Sequence, residues 1–132
     1  MAEHNDDEAG LAGLRILVAE DNPANRRLVQ AILESAGAVV ETVEDGVDAL
    51  ARLREPGVDL VLMDLRMPRM GGAETLHRIR AGEAGASDLP VVALTADDEQ
   101  DVADGFDAIQ PKPIQAAALI AALAALRPPR AA

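Results

Sequence analysis

Between residues 14 and 127, short uninterrupted apolar runs alternate with segments whose apolar residues recur at helical spacing. Leu14-Arg15-Ile16-Leu17-Val18-Ala19 is the first run, and it stops abruptly at Glu20-Asp21. Asn22 suits a helix N-cap, since its side-chain oxygen can take an orphan N–H, and Pro23 suits the first helical position. The helix that follows places Leu28, Val29, Ile32 and Leu33 on its inner face and ends at Gly37. Val39-Val40-Glu41-Thr42-Val43 reads as a second strand and Asp45-Gly46 as a turn. A second helix carries Val47, Leu50 and Leu53 and is stopped by Pro56-Gly57.

Leu60-Val61-Leu62-Met63 is a third strand, ending on Asp64. A loop with Met67-Pro68 and Gly71-Gly72 leads into a third helix containing Leu76 and Ile79. Val91-Val92-Ala93-Leu94 is a fourth strand, ending on Thr95. An acidic segment over 96–105 leads to Phe106-Asp107-Ala108-Ile109, a last strand closed by Lys112. The final helix, 114–126, is rich in Ala and Leu, with Leu119, Leu123 and Leu126 on one stripe. Continuous apolar strands alternating with amphipathic helices predict a parallel sheet covered on both faces, a doubly wound α/β fold of five strands.

Composition narrows the class. A chain of 132 residues is one domain, and its core is almost wholly aliphatic, with Phe106 the single aromatic. The absence of cysteine fits a reducing cytoplasm. The apolar runs fall far short of a membrane span, and the acidic N-terminus is no signal sequence. A formal net charge of −11 leaves no basic face for nucleic acid. Four acids within residues 3–8 and no periodicity predict a disordered acidic tail over 1–13, while 128–132 reads as a frayed end. The folded domain is therefore expected over 14–127.

The polar residues of interest all fall at strand C-terminal ends: Glu20 and Asp21, Asp64, Thr95 and Lys112. Open α/β sheets bind ligands outside those ends, where strand order reverses. In the order 2-1-3-4-5 the first and third strands are neighbours, and Glu20, Asp21 and Asp64 converge. Three carboxylates in one pocket repel one another unless a positive charge sits among them. A hard divalent cation such as Mg²⁺, bound through oxygen, relieves this and suits a phosphate partner. A carboxylate of Asp64 can then accept a phosphoryl group, with Lys112 and the Thr95 hydroxyl serving its oxygens. Lys112 is the only lysine beside eleven arginines, and it stands between Pro111 and Pro113, which is consistent with a need for a compact ammonium there.

The set Glu20-Asp21-Asn22-Pro23, Leu62-Met63-Asp64-Leu65-Arg66-Met67-Pro68, Gly71-Gly72, Ala93-Leu94-Thr95-Ala96 and Lys112-Pro113 resembles the receiver domain of two-component response regulators. The resemblance covers nearly the whole expected domain and implies a flavodoxin-like fold. It implies that Asp64 is the phosphoacceptor, served by a histidine kinase or a histidine phosphotransfer protein. It assigns Mg²⁺ to Glu20, Asp21, Asp64 and the Arg66 backbone carbonyl, and the switch and phosphate-binding roles to Thr95 and Lys112. It makes a cis Lys112-Pro113 bond common, and it places Arg26, Arg27 and Gln30 on a docking face for a phosphotransfer helix. Arg66 and Asp97 fall where the family tunes acyl-phosphate hydrolysis. Such a chain is not an enzyme beyond its own phosphorylation and dephosphorylation.

Two departures stand out. Ile109 occupies the switch position usually held by an aromatic residue or histidine. The stretch from Thr95 to Lys112 is about one helical turn short, which predicts a clipped fourth helix and disfavours the usual dimer, so a monomer is expected. With nothing after the final helix to build an output module, signalling is expected through a downstream protein partner. The rival from another class is a phosphorylation-independent interaction module with the same fold, which Ile109 and the clipped helix favour. Met67 and Met70 read as loop packing, and His77 and His4 as solvated side chains.

Overall fold

The computed structural model describes residues 10–85, 87–96 and 105–127. Five strands, β1 (Arg15–Ala19), β2 (Val39–Val43), β3 (Leu60–Asp64), β4 (Val91–Thr95) and β5 (Ala108–Pro111), form one parallel sheet in the order 2-1-3-4-5. Four helices are seen among the described residues: α1 (Pro23–Ser35), α2 (Gly46–Leu53), α3 (Gly72–Arg80) and α4 (Ala116–Ala125). The acidic stretch 97–104, where a clipped helix was expected, lies outside the described residues, as do 1–9 and 128–132.

The central strands explain the doubly wound arrangement. Successive side chains on a strand point to opposite faces, so an apolar run buried on both sides must feed two cores. Ile16 and Val18 of β1, Leu60 and Leu62 of β3, and Val92 and Leu94 of β4 meet Val29 and Leu33 of α1 and Leu119 and Leu123 of α4. On the other face Leu17, Val61, Met63 and Val91 meet Leu50 and Leu53 of α2 and Leu76 and Ile79 of α3. β3 and β4 end on polar residues, Asp64 and Thr95, and Glu20 directly follows β1, which places the polar set on one rim of the sheet.

The expected start of α1 is realised. Asn22 Oδ1 accepts the Asn25 amide at 3.0 Å, and Pro23 opens the helix. Two helix faces differ from their predicted form. Leu28 is 47% exposed, because the sheet is met by Val29 and Leu33, four residues apart, and Leu28 lies to their side. On α2 the buried stripe is Ala49, Leu50 and Leu53, and Val47 is 37% exposed, since a 47, 50, 53 spacing drifts around the helix. Phe106 and Asp107 precede β5 instead of forming it: the Asp107 carboxylate accepts the Val91 amide at 2.8 Å and the Arg80 guanidinium at 2.9 Å.

The expected tail also needs correcting at its end. Residues 10–13 form a turn within the fold, and Leu11 is fully buried beside Leu14 and Ala36. Its amide donates to the Ala36 carbonyl at 3.1 Å, and Gly13 donates to Gly37 at 3.0 Å. Gly37 sits at φ +98°, and a Cβ there would come within 2.9 Å of Ala12 Cα, so glycine is what allows the turn to lie on the end of α1. Arg127, at the other end of the domain, donates to the carbonyls of Gly10 and Ala12.

Leu11→Ala should therefore cost about 3 kcal/mol of stability, the value for emptying a closed aliphatic site. Leu28→Ala should cost less than about 1 kcal/mol, as at an exposed position. Urea denaturation of both variants checks this; an unchanged midpoint for Leu11→Ala would return that segment to the tail.

Candidate functional site

The rim at the C-terminal ends of β1, β3, β4 and β5 gathers the predicted set. Glu20 follows β1 and is fully buried, with its amide fixed to the Val43 carbonyl at 3.0 Å. Its Oε2 accepts the Asn22 amide at 3.0 Å, while Oε1 is buried without a hydrogen-bond partner. Asp64 closes β3 and is 5% exposed; its Oδ1 accepts the Arg66 amide at 3.2 Å. Asp21 is exposed at the mouth. One carboxylate oxygen from each of Glu20, Asp21 and Asp64 lies within 4.8 Å of the others.

Lys112 enters from the end of β5. Its Nζ donates to Asp64 Oδ2 at 2.8 Å and lies 3.4 Å from Glu20 Oε1, close enough for charge but not aligned as a hydrogen bond. The Lys112 amide donates to the Thr95 carbonyl at 2.7 Å, and the peptide bond to Pro113 is cis. Thr95 itself is buried at the end of β4.

The electrostatics follow from this packing. Burial raises the Glu20 pKa above its usual value, and the charge of Asp64 adds to that; the Asn22 amide and Lys112 oppose it. Burial pulls against the Lys112 ammonium, yet the hydrogen bond and charge of Asp64, with the charge of Glu20, leave its pKa raised. Three carboxylates share one ammonium, so negative charge remains in excess. An orphaned buried carboxylate oxygen within an all-oxygen donor set fits a hard divalent cation such as Mg²⁺, which Glu20, Asp21 and Asp64 can hold.

The structure separates the remaining predicted residues. Ile109 lies on the edge strand β5 and is 47% exposed. Arg66 is exposed at the start of the β3–α3 loop, and Asp97, its expected partner, lies outside the described residues. Arg26, read as a docking residue, is turned inward: its guanidinium donates to the carbonyls of Glu20 at 2.9 Å and Asp21 at 3.4 Å. Arg27 is exposed as expected, while Gln30 donates to Glu34 at 3.2 Å. Met67 and Met70 pack against the core, and His77 is solvated.

Three features support the rim, and the sequence pattern marked the first only as a turn glycine and the third not at all. Gly72 opens α3 directly behind the acceptor; a Cβ there would stand 2.6 Å from the Asp64 carbonyl oxygen. Asp45 is a buried N-cap for α2, accepting the Asp48 amide at 2.9 Å, where sequence suggested only a turn. Arg69 grips it, with Nε 2.6 Å from Asp45 Oδ2, and that contact lowers the Asp45 pKa. The Gly-Gly and Asp-Gly pairs signal tight turns, but nothing local to residue 69 announces its partner.

With the geometry in place, relatedness is clear. The chain belongs to the response regulator receiver domain family, whose model matches residues 16–124. It is similar to sensor protein GacS of Pseudomonas syringae pv. syringae, 50% identical over 84 residues that make up 62% of this chain and 9% of GacS. Sensor histidine kinase RcsC of Salmonella typhi is 39% identical over 128 residues, 93% of this chain and 13% of RcsC. The chain thus spans only a small fraction of the length of these sensor proteins. Among solved structures, the receiver domain of sensor histidine kinase PA1611 from Pseudomonas aeruginosa PAO1 gives a TM-score of 0.75 at 35% identity, over 82% of this chain and 92% of that one. That crystal structure has a magnesium ion coordinated in its active-site cleft. Among the described residues, no helix is long and apolar enough to cross a membrane.

Lys112→Met should leave Glu20 and Asp64 without their cation. Because Lys112 is partly exposed, the expected loss in metal-free buffer is about 2 kcal/mol, below that for a fully buried pair. Added Mg²⁺ should raise the melting midpoint of the variant more than that of the wild type. Equal stability and an equal Mg²⁺ response would show that the ion pair does not hold the cluster.

Proposed function

We propose that this receiver domain carries a phosphoryl group on Asp64 and acts within a two-component system or phosphorelay. The observation that carries the reading is the Asp64 carboxylate at the mouth of the sheet, bonded to Lys112 Nζ at 2.8 Å and grouped with Glu20 and Asp21. Glu20, Asp21, Asp64 and the Arg66 carbonyl would hold Mg²⁺, which when bound offsets the carboxylate charge and the charge on the phosphoryl oxygens.

The chain's own residues account for the rest of the chemistry. A carboxylate oxygen of Asp64 attacks phosphorus of a phosphohistidine. The new oxygen–phosphorus bond forms as the nitrogen–phosphorus bond breaks, and the electron pair returns to the imidazole nitrogen. Lys112 exchanges its bond to Asp64 for one to a phosphoryl oxygen, and the Thr95 hydroxyl donates to another. Arg26 keeps the Glu20 and Asp21 backbone in place from behind. Hydrolysis reverses the modification: water attacks phosphorus, the carboxylate leaves, and phosphate is released. No other substrate is turned over, so the domain catalyses only its own modification.

The donor is a histidine kinase or a histidine phosphotransfer protein, a reading supported by the sensor kinases among its relatives. Leu28, with Asn25, Ala96, Pro113 and Ile114, lines a cleft beside Lys112. An exposed leucine there offers an apolar anchor to a donor helix on the same face as Arg27. The phosphorylated domain then signals through a protein partner.

Intact mass after incubation with acetyl phosphate and Mg²⁺ tests the acceptor. One phosphoryl adduct is expected on wild type and none on Asp64→Asn; no adduct on either would favour a phosphorylation-independent binding module. Leu28→Asp should slow transfer from a phosphohistidine protein about tenfold or more, as for loss of an apolar anchor. The same variant should accept from acetyl phosphate at the wild-type rate, and equal slowing with both donors would refute the docking role.

A further inference from the structure

Arg69 is the one residue other than glycine with positive φ among those described, at +62°. An arginine gains nothing from that conformation by itself, so the surroundings must hold it there. They do so from another part of the chain. Arg69 Nε lies 2.6 Å from Asp45 Oδ2, and Nη2 lies 3.0 Å from Asp48 Oδ1. Asp45 is itself fixed, since it is buried and its other oxygen caps the Asp48 amide at 2.9 Å.

The grip has a clear mechanical consequence. The loop 65–71 runs from the acceptor strand to α3, and Arg66 at its start donates its amide to Asp64 Oδ1 at 3.2 Å. On the far side of Arg69, the Met70 carbonyl accepts the Gly46 amide at 3.2 Å, and Gly72 donates to the Leu65 carbonyl at 2.9 Å. The guanidinium therefore fastens the middle of the loop to the start of α2, beside the Met70–Gly46 backbone bond and within the span closed by Gly72 and Leu65. As a stabilising ion pair alone it would matter little, because the Arg69 side chain is 56% exposed. Its leverage lies in where the loop begins.

We propose that Arg69 is a positioning residue for the acceptor site: by bolting the β3–α3 loop to the Asp45–Asp48 cap of α2, it holds the Arg66 peptide in register with Asp64 and so sets Mg²⁺ affinity. The inference rests on the reading that Glu20, Asp21, Asp64 and the Arg66 carbonyl hold the cation. It concerns a residue that touches neither the metal nor the phosphoryl group.

Arg69→Gly is the informative variant, since glycine accepts the left-handed backbone without strain and removes the guanidinium. Calorimetric titration of the full chain with Mg²⁺ alone should show affinity weakened about tenfold, the usual scale for removing support behind a metal ligand. Arg69→Lys keeps the charge but not the planar fork and should fall between the two. Asp45→Asn keeps the cap and removes the shorter of the two Arg69 ion pairs while Asp48 still holds Nη2; it should weaken Mg²⁺ binding in the same direction but by less than Arg69→Gly, and adding it to Arg69→Gly should weaken binding no further. In metal-free protein, Arg69→Gly should speed amide exchange at Gly46 and Gly72 but not at Val18 or Leu62. Wild-type Mg²⁺ affinity in Arg69→Gly would overturn the proposal. A wild-type chain whose Mg²⁺ binding is absent, or survives Asp64→Asn, would instead remove the metal reading beneath it.

Discussion

Like charge held at short range is the constraint around which this domain is arranged. Glu20, Asp21 and Asp64 bring carboxylate oxygens within 4.8 Å of one another, and Glu20 and Asp64 are almost closed to water. Such a group is stable only where opposite charge and fixed donors answer it. Lys112 supplies the charge, at 2.8 Å from Asp64, and the amides of Asn22 and Arg66 supply donors to Glu20 and Asp64. One Glu20 oxygen remains without a hydrogen bond. The pocket is thus left electrostatically incomplete, which is the condition a cation and a phosphoryl group together would relieve.

The scaffold's part is to make that arrangement stiff. Glu20, Asp64 and Thr95 end or follow strands locked between two aliphatic layers, so their backbone has little freedom to retreat, while Lys112 is set by the edge strand β5 through its amide bond to the Thr95 carbonyl. The loops between strand and helix are then tied individually. Arg26 holds the carbonyls that carry the acid pair, Gly72 lets α3 begin against the Asp64 carbonyl, and Arg69 fastens the loop behind the acceptor. Arginine suits these tasks because its planar fork reaches two acceptors at once, whereas the pocket takes the compact ammonium.

Much of this was legible because parallel strands write themselves plainly. A run such as Leu60-Val61-Leu62-Met63 has one reasonable place in a covered sheet, and the residue that ends it must lie on the rim. The five site residues followed from that rule, while alternation with helices predicted a doubly wound parallel sheet and the order 2-1-3-4-5 came with the family resemblance. What escaped was decided across the chain or by small differences in angle. Arg69 meets Asp45 over a separation of 24 residues, which no local pattern encodes. Leu11 stands alone among glycines and alanine, with no periodicity to mark it, yet it fills a site under the end of α1. Arg26 and Arg27 are adjacent and chemically alike, and only the helix phase turns the first inward. On α2 the buried alanine outranked the more hydrophobic valine for the same reason.

Reduction of the acyl phosphate in place tests the assignment of the acceptor most directly. The protein is treated with a phosphoryl donor and Mg²⁺, quenched with borohydride and digested, and the peptides are sequenced by mass. Hydride displaces phosphate from an aspartyl phosphate and leaves homoserine at that position. Homoserine at position 64, dependent on both donor and Mg²⁺, is the expected result. Homoserine at position 21 instead, or none anywhere, would contradict the central role of Asp64.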